Sequence, residues 1–261
     1  MQPADVLSRP ARPADLTISY GREDQEAGLW LPPAAESAAA LVLFLHGGFW
    51  RAAYDRKHAG PFAEALAASG FAVCVPEYRR VGQAGGGWPG TCDDALAAVS
   101  RLPALAAEAA GGGRVDAGPP ILAGQSAGGH LALWAAGQRP ATSTRVVISL
   151  AGVCDLVRCD QLGLGQGAAS ALMGGGSAQL PDRYREADPM AAIPTGARVI
   201  LLHGTADDRV PSQQSADYAS AARAAGDDAR CVLLPGTGHF DVIDPLSAAW
   251  PAVLAEFMSV I

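Results

Sequence analysis

Short apolar runs alternate with helical patterns along most of the chain. The run 41–45 is continuously apolar, which is typical of a strand covered on both faces of a sheet. Similar runs are predicted to form strands at 71–75, 121–123, 146–150, 199–202 and 230–234. Helices are predicted at 61–69, after residue 91, after residue 126, at 213–225 and at 246–258. This order predicts an α/β protein with a mostly parallel sheet and helices on both faces.

Two shorter runs come before this alternation. Residues 16–20 and 27–31 are strand-like, and the polar stretch 21–26 separates them. Two neighbouring strands joined by a short polar turn predict an antiparallel hairpin, which we place at an edge of the sheet. With the six strands of the alternation, the prediction is an eight-stranded sheet.

The regular pattern lapses after the sixth strand, over residues 153–195. Glycines at 163, 165, 167 and 174–176 interrupt its few apolar residues. The segment is too irregular for a separate domain and too long for a plain connection. We predict a single domain, 1–261, in which the 153–195 segment is a small, mobile cap-like insertion with one or two short helices.

Composition narrows the possible partners. The net charge is −7 and no tract is rich in lysine or arginine, which argues against a nucleic-acid partner. The five cysteines lack the spacing of metal ligands, so we expect no metal and no cofactor. No apolar run is long enough to span a membrane, and residues 1–15 lack the apolar core of a signal peptide. We therefore expect a cytoplasmic protein that binds a small molecule; a homodimer stays open.

The stretch 121–130 carries the strongest chemical signal. Residues 124–128 read Gly-Gln-Ser-Ala-Gly and match the nucleophile-elbow pattern G-x-S-x-G between a predicted strand and a predicted helix. Ser126 would sit in a strained turn, where only small residues fit two positions before and after it. The alternative is an ordinary turn of glycine and serine.

A serine hydroxyl needs a base and a group that orients the base. Of five histidines, only His239 follows the last strand and leaves room for an acid between itself and Ser126. Asp207 and Asp208 stand side by side after the run 199–202 and are both candidates for that acid. Asp241 and Asp244 are assigned to the surface or to helix capping.

Backbone amides must meet the negative charge that forms on the substrate oxygen. The amide of Ala127 follows the nucleophile, and the glycine-rich loop after the run 41–45 offers Gly48 and Phe49. Trp50 is more typical of packing than of substrate contact. The candidate walls of the substrate pocket are Trp50, Trp88, Gln125 and Phe240.

The motifs at 46–50 and 124–132 carry a family resemblance. His-Gly-Gly-Phe-Trp resembles the H-G-G-x-W motif of kynurenine formamidases and related small carboxylesterases, and the second stretch is similar to their G-x-S-A-G-x-H-L-A. The likeness extends over nearly the whole chain and implies the α/β-hydrolase fold. Residues 203–211 resemble the pattern H-G-x-x-D-x-x-V-P, whose fifth residue is the acid, which implies Asp207 rather than Asp208. Gln125 stands where formamidases more often carry histidine, and Gly129 where they often carry alanine, which points away from formylkynurenine.

The resemblance implies a serine hydrolase that cleaves a small acyl ester or an aryl formamide through an acyl-enzyme. In this hypothesis Ser126 attacks the carbonyl, His239 carries the proton and Asp207 holds the imidazole. The same triad could instead serve cyclisation, elimination or acyl transfer in a biosynthetic pathway, because a fold does not fix a reaction. A ligand receptor would require a defective triad.

Overall fold

A computed structural model describes residues 3–22, 25–33, 37–138 and 143–261 of the chain. It contains an eight-stranded sheet with the order β1-β2-β4-β3-β5-β6-β7-β8. The strands are β1 (Leu16–Ser19), β2 (Glu26–Trp30), β3 (Leu41–Leu45), β4 (Ala72–Pro76), β5 (Ile121–Gln125), β6 (Val146–Leu150), β7 (Val199–Gly204) and β8 (Ala229–Leu234). The predicted α/β architecture is confirmed.

The two ends of the sheet are built differently. β1 pairs antiparallel with β2, and β2 pairs antiparallel with β4, so the predicted hairpin lies at one edge. Glu23 and Asp24 of its predicted turn lie outside the described residues. From β4 to β8 every neighbouring pair is parallel. The carboxyl ends of these parallel strands therefore meet at one edge, where their loops can bring distant residues together.

The helices connect the strands on both faces of the sheet. Those outside the 153–195 segment are α1 (Gly60–Ala68), α2 (Gly90–Ala110), α3 (Ala127–Gly137), α7 (Gln213–Ala224) and α8 (Trp250–Met258). α8 begins later than the predicted residue 246. Pro251 fits the first turn of a helix, and Asp244 instead closes a turn by accepting from the amide of Leu246 at 2.8 Å.

The start of α2 also differs from the prediction. The helix is predicted after residue 91, but Thr91 lies inside its first turn, and the Thr91 hydroxyl donates to the carbonyl of Arg79 at 2.6 Å. Asp94 is buried and accepts two hydrogen bonds from the Arg79 guanidinium. This ion pair ties α2 to the chain that leaves β4.

The core has two halves, one on each face of the sheet. In β3 the side chains of Leu43 and Leu45 belong to the half that α2 and α3 cover, whereas Val42 and Phe44 belong to the half that α1 and α8 cover. This division follows from the two-residue period of a strand. Burial on both faces explains why the central strands read as continuous apolar runs.

The 153–195 segment contains more helix than the sequence predicts. It forms α4 (Leu156–Gln161), α5 (Leu164–Met173), α6 (Pro181–Ala187) and a 3-10 turn at Pro189–Ala192. Residues 165–167, at the start of α5, have left-handed φ angles of 57°, 58° and 74°. Two of these three residues are glycines, which explains how so unusual a run forms.

The N-terminal residues are attached to the opposite end of the chain. A 3-10 turn at Pro3–Ser8 is followed by Arg9, whose guanidinium forms an ion pair with Asp244. Asp244 is buried, so of its two predicted assignments, the surface or helix capping, the surface is wrong. The ion pair joins the first described residues to the loop that carries His239.

Candidate active site

Ser126 occupies a strained turn between β5 and α3. Its φ of 54° and ψ of −117° lie in a region that residues other than glycine rarely adopt. A Cβ on Gly124 would lie 2.2 Å from the carbonyl oxygen of Gly128, and a Cβ on Gly128 would lie 1.9 Å from that of Leu45. The glycines two positions before and after Ser126 are therefore required by crowding, as the motif predicts.

Asp207 and His239 are brought together although 32 residues separate them. Oδ2 of Asp207 lies 2.7 Å from Nδ1 of His239. The same oxygen lies 3.1 Å from Nε2 of His203, and Oδ1 accepts from the amides of Arg209 at 2.8 Å and Val210 at 2.9 Å. Four donors thus hold one buried carboxylate.

The environment of Asp207 keeps it ionised. Burial acts to raise its pKa, but the hydrogen bonds from His203 and His239 outweigh burial and hold the pKa well below its ordinary value. The neighbouring Asp208 is different, because its side chain is 77% exposed and lies 3.4 Å from the Arg209 guanidinium. Of the two candidates, Asp207 is the one that contacts His239.

His203 is a second imidazole on the same carboxylate, which the sequence analysis did not identify. Its Nε2 faces two acceptors, Asp207 and the carbonyl of Val210 at 2.9 Å, so this nitrogen carries a proton. Its Nδ1 lies 2.7 Å from the hydroxyl of Ser215. The one signal in the sequence is that His203 stands four residues before Asp207. The sequence does not show that the imidazoles of His203 and His239 face the same carboxylate oxygen.

The other three histidines have different surroundings. His46 is buried, stacks on Tyr78 with 4.3 Å between ring centroids, and lies 2.9 Å from Glu77. His130 is buried in α3, where Nε2 lies 2.9 Å from the carbonyl of Ala187 and burial lowers its pKa to about 4. Burial also lowers the pKa of His58 to about 4. Among the five, His239 is the one that contacts Asp207 and lines a cavity with Ser126.

The loop after β3 is strained as well. Gly48, Phe49 and Trp50 have φ angles of 113°, 50° and 56°. The loop is held by residue 81, whose amide donates to the carbonyl of Trp50 at 2.7 Å and whose carbonyl accepts from the amide of Ala52 at 3.0 Å. Successive amides in such a conformation form a concavity that binds anions. Strain retained by surrounding contacts is common at functional sites.

A cavity of about 650 Å³ joins these parts. Ser126, His239, Gly48, Phe49 and Phe240 line it. Ala127 is the buried first residue of α3, and the amide of a first helical residue has no partner within its own helix. Of the predicted oxyanion donors, Ala127 therefore follows Ser126 directly, and Gly48 and Phe49 lie at the cavity wall.

The predicted pocket walls are only partly correct. Trp50 is fully buried and packs edge-on against His130 with ring centroids 5.1 Å apart, and Trp88 packs edge-on against Trp134 at 6.0 Å. Neither of these two described side chains lines the cavity, so the packing role favoured for Trp50 is confirmed and the assignment of both to the substrate pocket is wrong. Trp50 belongs to the apolar core, and the partly buried Trp88 packs against that core.

Gln125 lines the cavity but is directed at His239. Its side-chain Nε2 lies 3.1 Å from Nε2 of His239 and 3.3 Å from the main-chain oxygen of the same residue. Among the wall residues that the sequence does not indicate are Arg51, Tyr54 and His58. They follow the glycine loop, where no periodic pattern indicates which side chains turn inward.

The 153–195 segment closes one side of the cavity. Residues 162–166 line it, and the Arg51 guanidinium donates to the carbonyl of Gly165. A Cβ on Gly165 would lie 2.8 Å from the ring of Phe49. The segment therefore rests directly on the loop that carries the predicted oxyanion amides of Gly48 and Phe49.

Metal binding and membrane crossing require other arrangements of residues. Within the described ranges, no group of three or more His, Cys, Asp or Glu side chains is arranged to hold a metal ion. In the same part of the chain, none of the helices combines the length and apolar character that crossing a bilayer requires.

Comparison with known proteins identifies relatives of this chain. The model of the BD-FAE family matches residues 28–221, which is well over half of the chain. A probable isoprenylcysteine alpha-carbonyl methylesterase of Oryza sativa subsp. japonica is 26% identical over 271 aligned residues. That alignment covers 94% of this chain but 63% of the rice protein, so the chain spans less than two thirds of that relative.

Solved structures show the same fold. A truncated carbohydrate esterase from gut microbiota has a TM-score of 0.77 at 20% identity, covering 93% of this chain and 94% of its own. The propionate-bound esterase Est2 of Thermogutta terrifontis has a TM-score of 0.73 at 22% identity, covering 96% and 94%. Together with the strand order, these likenesses establish the α/β-hydrolase fold.

Proposed function

The chain belongs to the BD-FAE family, and from this premise we propose that it is a serine-dependent carboxylic ester hydrolase. The observation that carries the proposal is the 2.7 Å contact between Asp207 and His239, in a cavity that His239 shares with Ser126. A buried carboxylate that orients an imidazole beside a strained serine is the arrangement that makes a serine hydroxyl nucleophilic.

In the proposed reaction Ser126 attacks the carbonyl carbon of an ester. The O–H bond of Ser126 breaks, its proton moves to Nε2 of His239, and the new C–O bond gives a tetrahedral intermediate. The amides of Gly48, Phe49 and Ala127 receive the negative oxygen, and the loss of one such donor costs about 3 kcal/mol. His239 returns the proton to the leaving alcohol, and water then hydrolyses the acyl-enzyme.

We propose short acyl esters as the substrates. A cavity of about 650 Å³, bounded by Phe49, Phe240 and the 153–195 segment, suits a small acyl group better than a long lipid chain. Est2 of Thermogutta terrifontis, a structural relative, has been solved with propionate and with butyrate. The carbohydrate esterase of similar fold supports an ester of a sugar hydroxyl as one form of such a substrate.

Labelling and turnover test this proposal. A fluorophosphonate should label the wild-type chain at Ser126 and fail to label Ser126→Ala. The wild type should hydrolyse p-nitrophenyl acetate and butyrate faster than the octanoate, whereas Ser126→Ala should keep its fold and lose turnover. Substantial turnover by Ser126→Ala would contradict the role of Ser126. Faster cleavage of aryl formamides than of esters would instead favour the formamidase reaction, and products without added water would favour transfer or elimination.

A further inference from the structure

The side chain of Gln125 points at the proposed base rather than at open space in the cavity. We propose that Gln125 is a positioning residue that holds His239 as the neutral tautomer in which Nε2 is unprotonated. The inference rests on the proposed function of His239 as a general base. In this proposal Gln125, the residue immediately before Ser126, influences the proton transfer.

The orientation of the Gln125 amide follows from its partners. Its Nε2 lies 3.3 Å from the main-chain oxygen of His239, and a carbonyl oxygen can only accept a hydrogen bond. The NH₂ group of the amide, and not its oxygen, must therefore face His239. The same NH₂ group lies 3.1 Å from Nε2 of the imidazole, so its second hydrogen is available to that ring nitrogen.

The contact with Asp207 determines the protonation of Nδ1, the other ring nitrogen of His239. Nδ1 of His239 lies 2.7 Å from Oδ2 of Asp207, and an ionised carboxylate is also only an acceptor. Nδ1 therefore carries the proton and Nε2 carries the electron pair, which accepts from Gln125. This is the tautomer that a general base needs before it can take the proton of Ser126.

Gly47 makes room for this arrangement. A Cβ on Gly47 would lie 2.1 Å from Oε1 of Gln125 and 3.1 Å from its main-chain oxygen. Gln125 is 2% exposed, so its side chain has little space to move aside. A glycine at position 47 is therefore required by the position of the Gln125 amide.

The amide should change how readily His239 is protonated. A donor that faces Nε2 favours the unprotonated ring, because a protonated Nε2 would bring two N–H groups together. The charged and titratable groups around the ring are Asp207 and His203, Asp241 on the loop that carries the ring, and Arg51, Tyr54, His58, Asp208 and Arg209 around the cavity. All eight remain in a Gln125 variant, so a shifted pH profile reports on the amide itself.

Two substitutions of similar size test the inference. Gln125→Met removes the donor and should move the acid limb of kcat/KM upward by about half to one pH unit. Gln125→Glu places a carboxylate at Nε2 and should move it upward by about one unit or more. The assay is hydrolysis of p-nitrophenyl acetate by the full chain between pH 5 and 9, with urea unfolding to show that each variant is folded.

A measurement without turnover separates this inference from the proposed function. In chains labelled with ¹⁵N-histidine and carrying Ser126→Ala, the Nε2 signal of His239 should titrate at higher pH when Gln125→Met or Gln125→Glu is added. The signal is assigned by its loss in His239→Gln. Unshifted titrations in both variants would overturn the role of Gln125 even if the wild type hydrolyses esters. A wild type without esterase activity but with the expected shifts would refute the proposed function and leave the Gln125 contact standing.

Discussion

Removal of the negative charge of Asp207 is the sharpest perturbation of the site. In the wild type the two carboxylate oxygens of Asp207 accept from four donors. Asp207→Asn keeps the shape of the side chain but has only one acceptor oxygen. Either the two backbone amides, of which that of Arg209 is exposed, or the imidazole of His239 then lose their acceptor, whereas His203 keeps the carbonyl of Val210. A buried donor left without a partner costs about 1–3 kcal/mol, so one such donor predicts a loss of about 1–3 kcal/mol in the free energy of unfolding.

Asp207→Asn should also lose activity, by more than its loss of stability would explain. Without the carboxylate, the imidazole of His239 is no longer fixed in the tautomer with a free Nε2, and the imidazolium that forms during attack is no longer stabilised. In serine hydrolases this change lowers kcat by about 10⁴-fold. The assays are kcat/KM on p-nitrophenyl butyrate and urea unfolding at neutral pH.

Asp208→Asn is the matched control. Its side chain is 77% exposed, and substitutions at such sites change stability by less than about 0.5 kcal/mol. The reasoning is refuted if Asp207→Asn retains activity within about tenfold of the wild type, or if Asp208→Asn loses as much. Either result would mean that the 2.7 Å contact with His239 does not control the reaction.

The low pKa of Asp207 also predicts a pH dependence of stability. Because the folded-state pKa lies below the unfolded value of about 4, the contribution of this carboxylate is complete above pH 4 and is lost as the pH falls further. The stability difference between the wild type and Asp207→Asn should therefore be constant near neutral pH and shrink in acid. A difference that grows below pH 4 would contradict this sign.

Three further predictions concern the surroundings of the site. The pKa of His130 is about 4 in the fold, against about 6.5 in the unfolded chain. Because the unfolded chain binds the proton first, the contribution of His130 to stability is complete above about pH 6.5, and about 2 kcal/mol of it is lost by pH 5. In urea unfolding, His130→Gln should therefore lose about 2 kcal/mol less stability than the wild type over this pH range. Gly204→Ala would place a Cβ 2.0 Å from the carbonyl of Thr237 and should displace the His239 loop and reduce kcat, whereas Gly118→Ala, whose nearest contact is a side-chain oxygen at 3.0 Å, should not. Arg51→Leu removes the donor to the carbonyl of Gly165, so limited proteolysis should cut residues 162–168 faster than in the wild type, and an unchanged cleavage rate would contradict this anchoring.

The sequence predicts the sheet because its signals are local. Continuous apolar runs such as 41–45 become strands buried on both faces, and the order of strands and helices follows from their alternation. The contact between Asp207 and His239 could be anticipated for a related reason. Both residues follow neighbouring parallel strands, β7 and β8, whose carboxyl ends meet at one edge of the sheet.

The parts that the sequence does not predict depend on side-chain direction in loops. Trp88 has the size of a pocket wall but packs against Trp134, whereas Tyr54 and His58 line the cavity. Gln125 belongs to a well-known motif, yet its contact with His239 joins residues 114 positions apart. Such contacts have no period along the chain, because they depend on how several loops converge.

The contact of Phe49 and Arg51 with Gly165 has a consequence for how this protein can be altered. The 153–195 segment and the oxyanion loop share an interface, so they do not behave as exchangeable modules. Grafting the corresponding segment of a relative would move the proposed oxyanion amides as well as one wall of the cavity. Successful transplants should therefore require compensating changes in the 48–51 loop, and libraries that vary both together should outperform those that vary either alone.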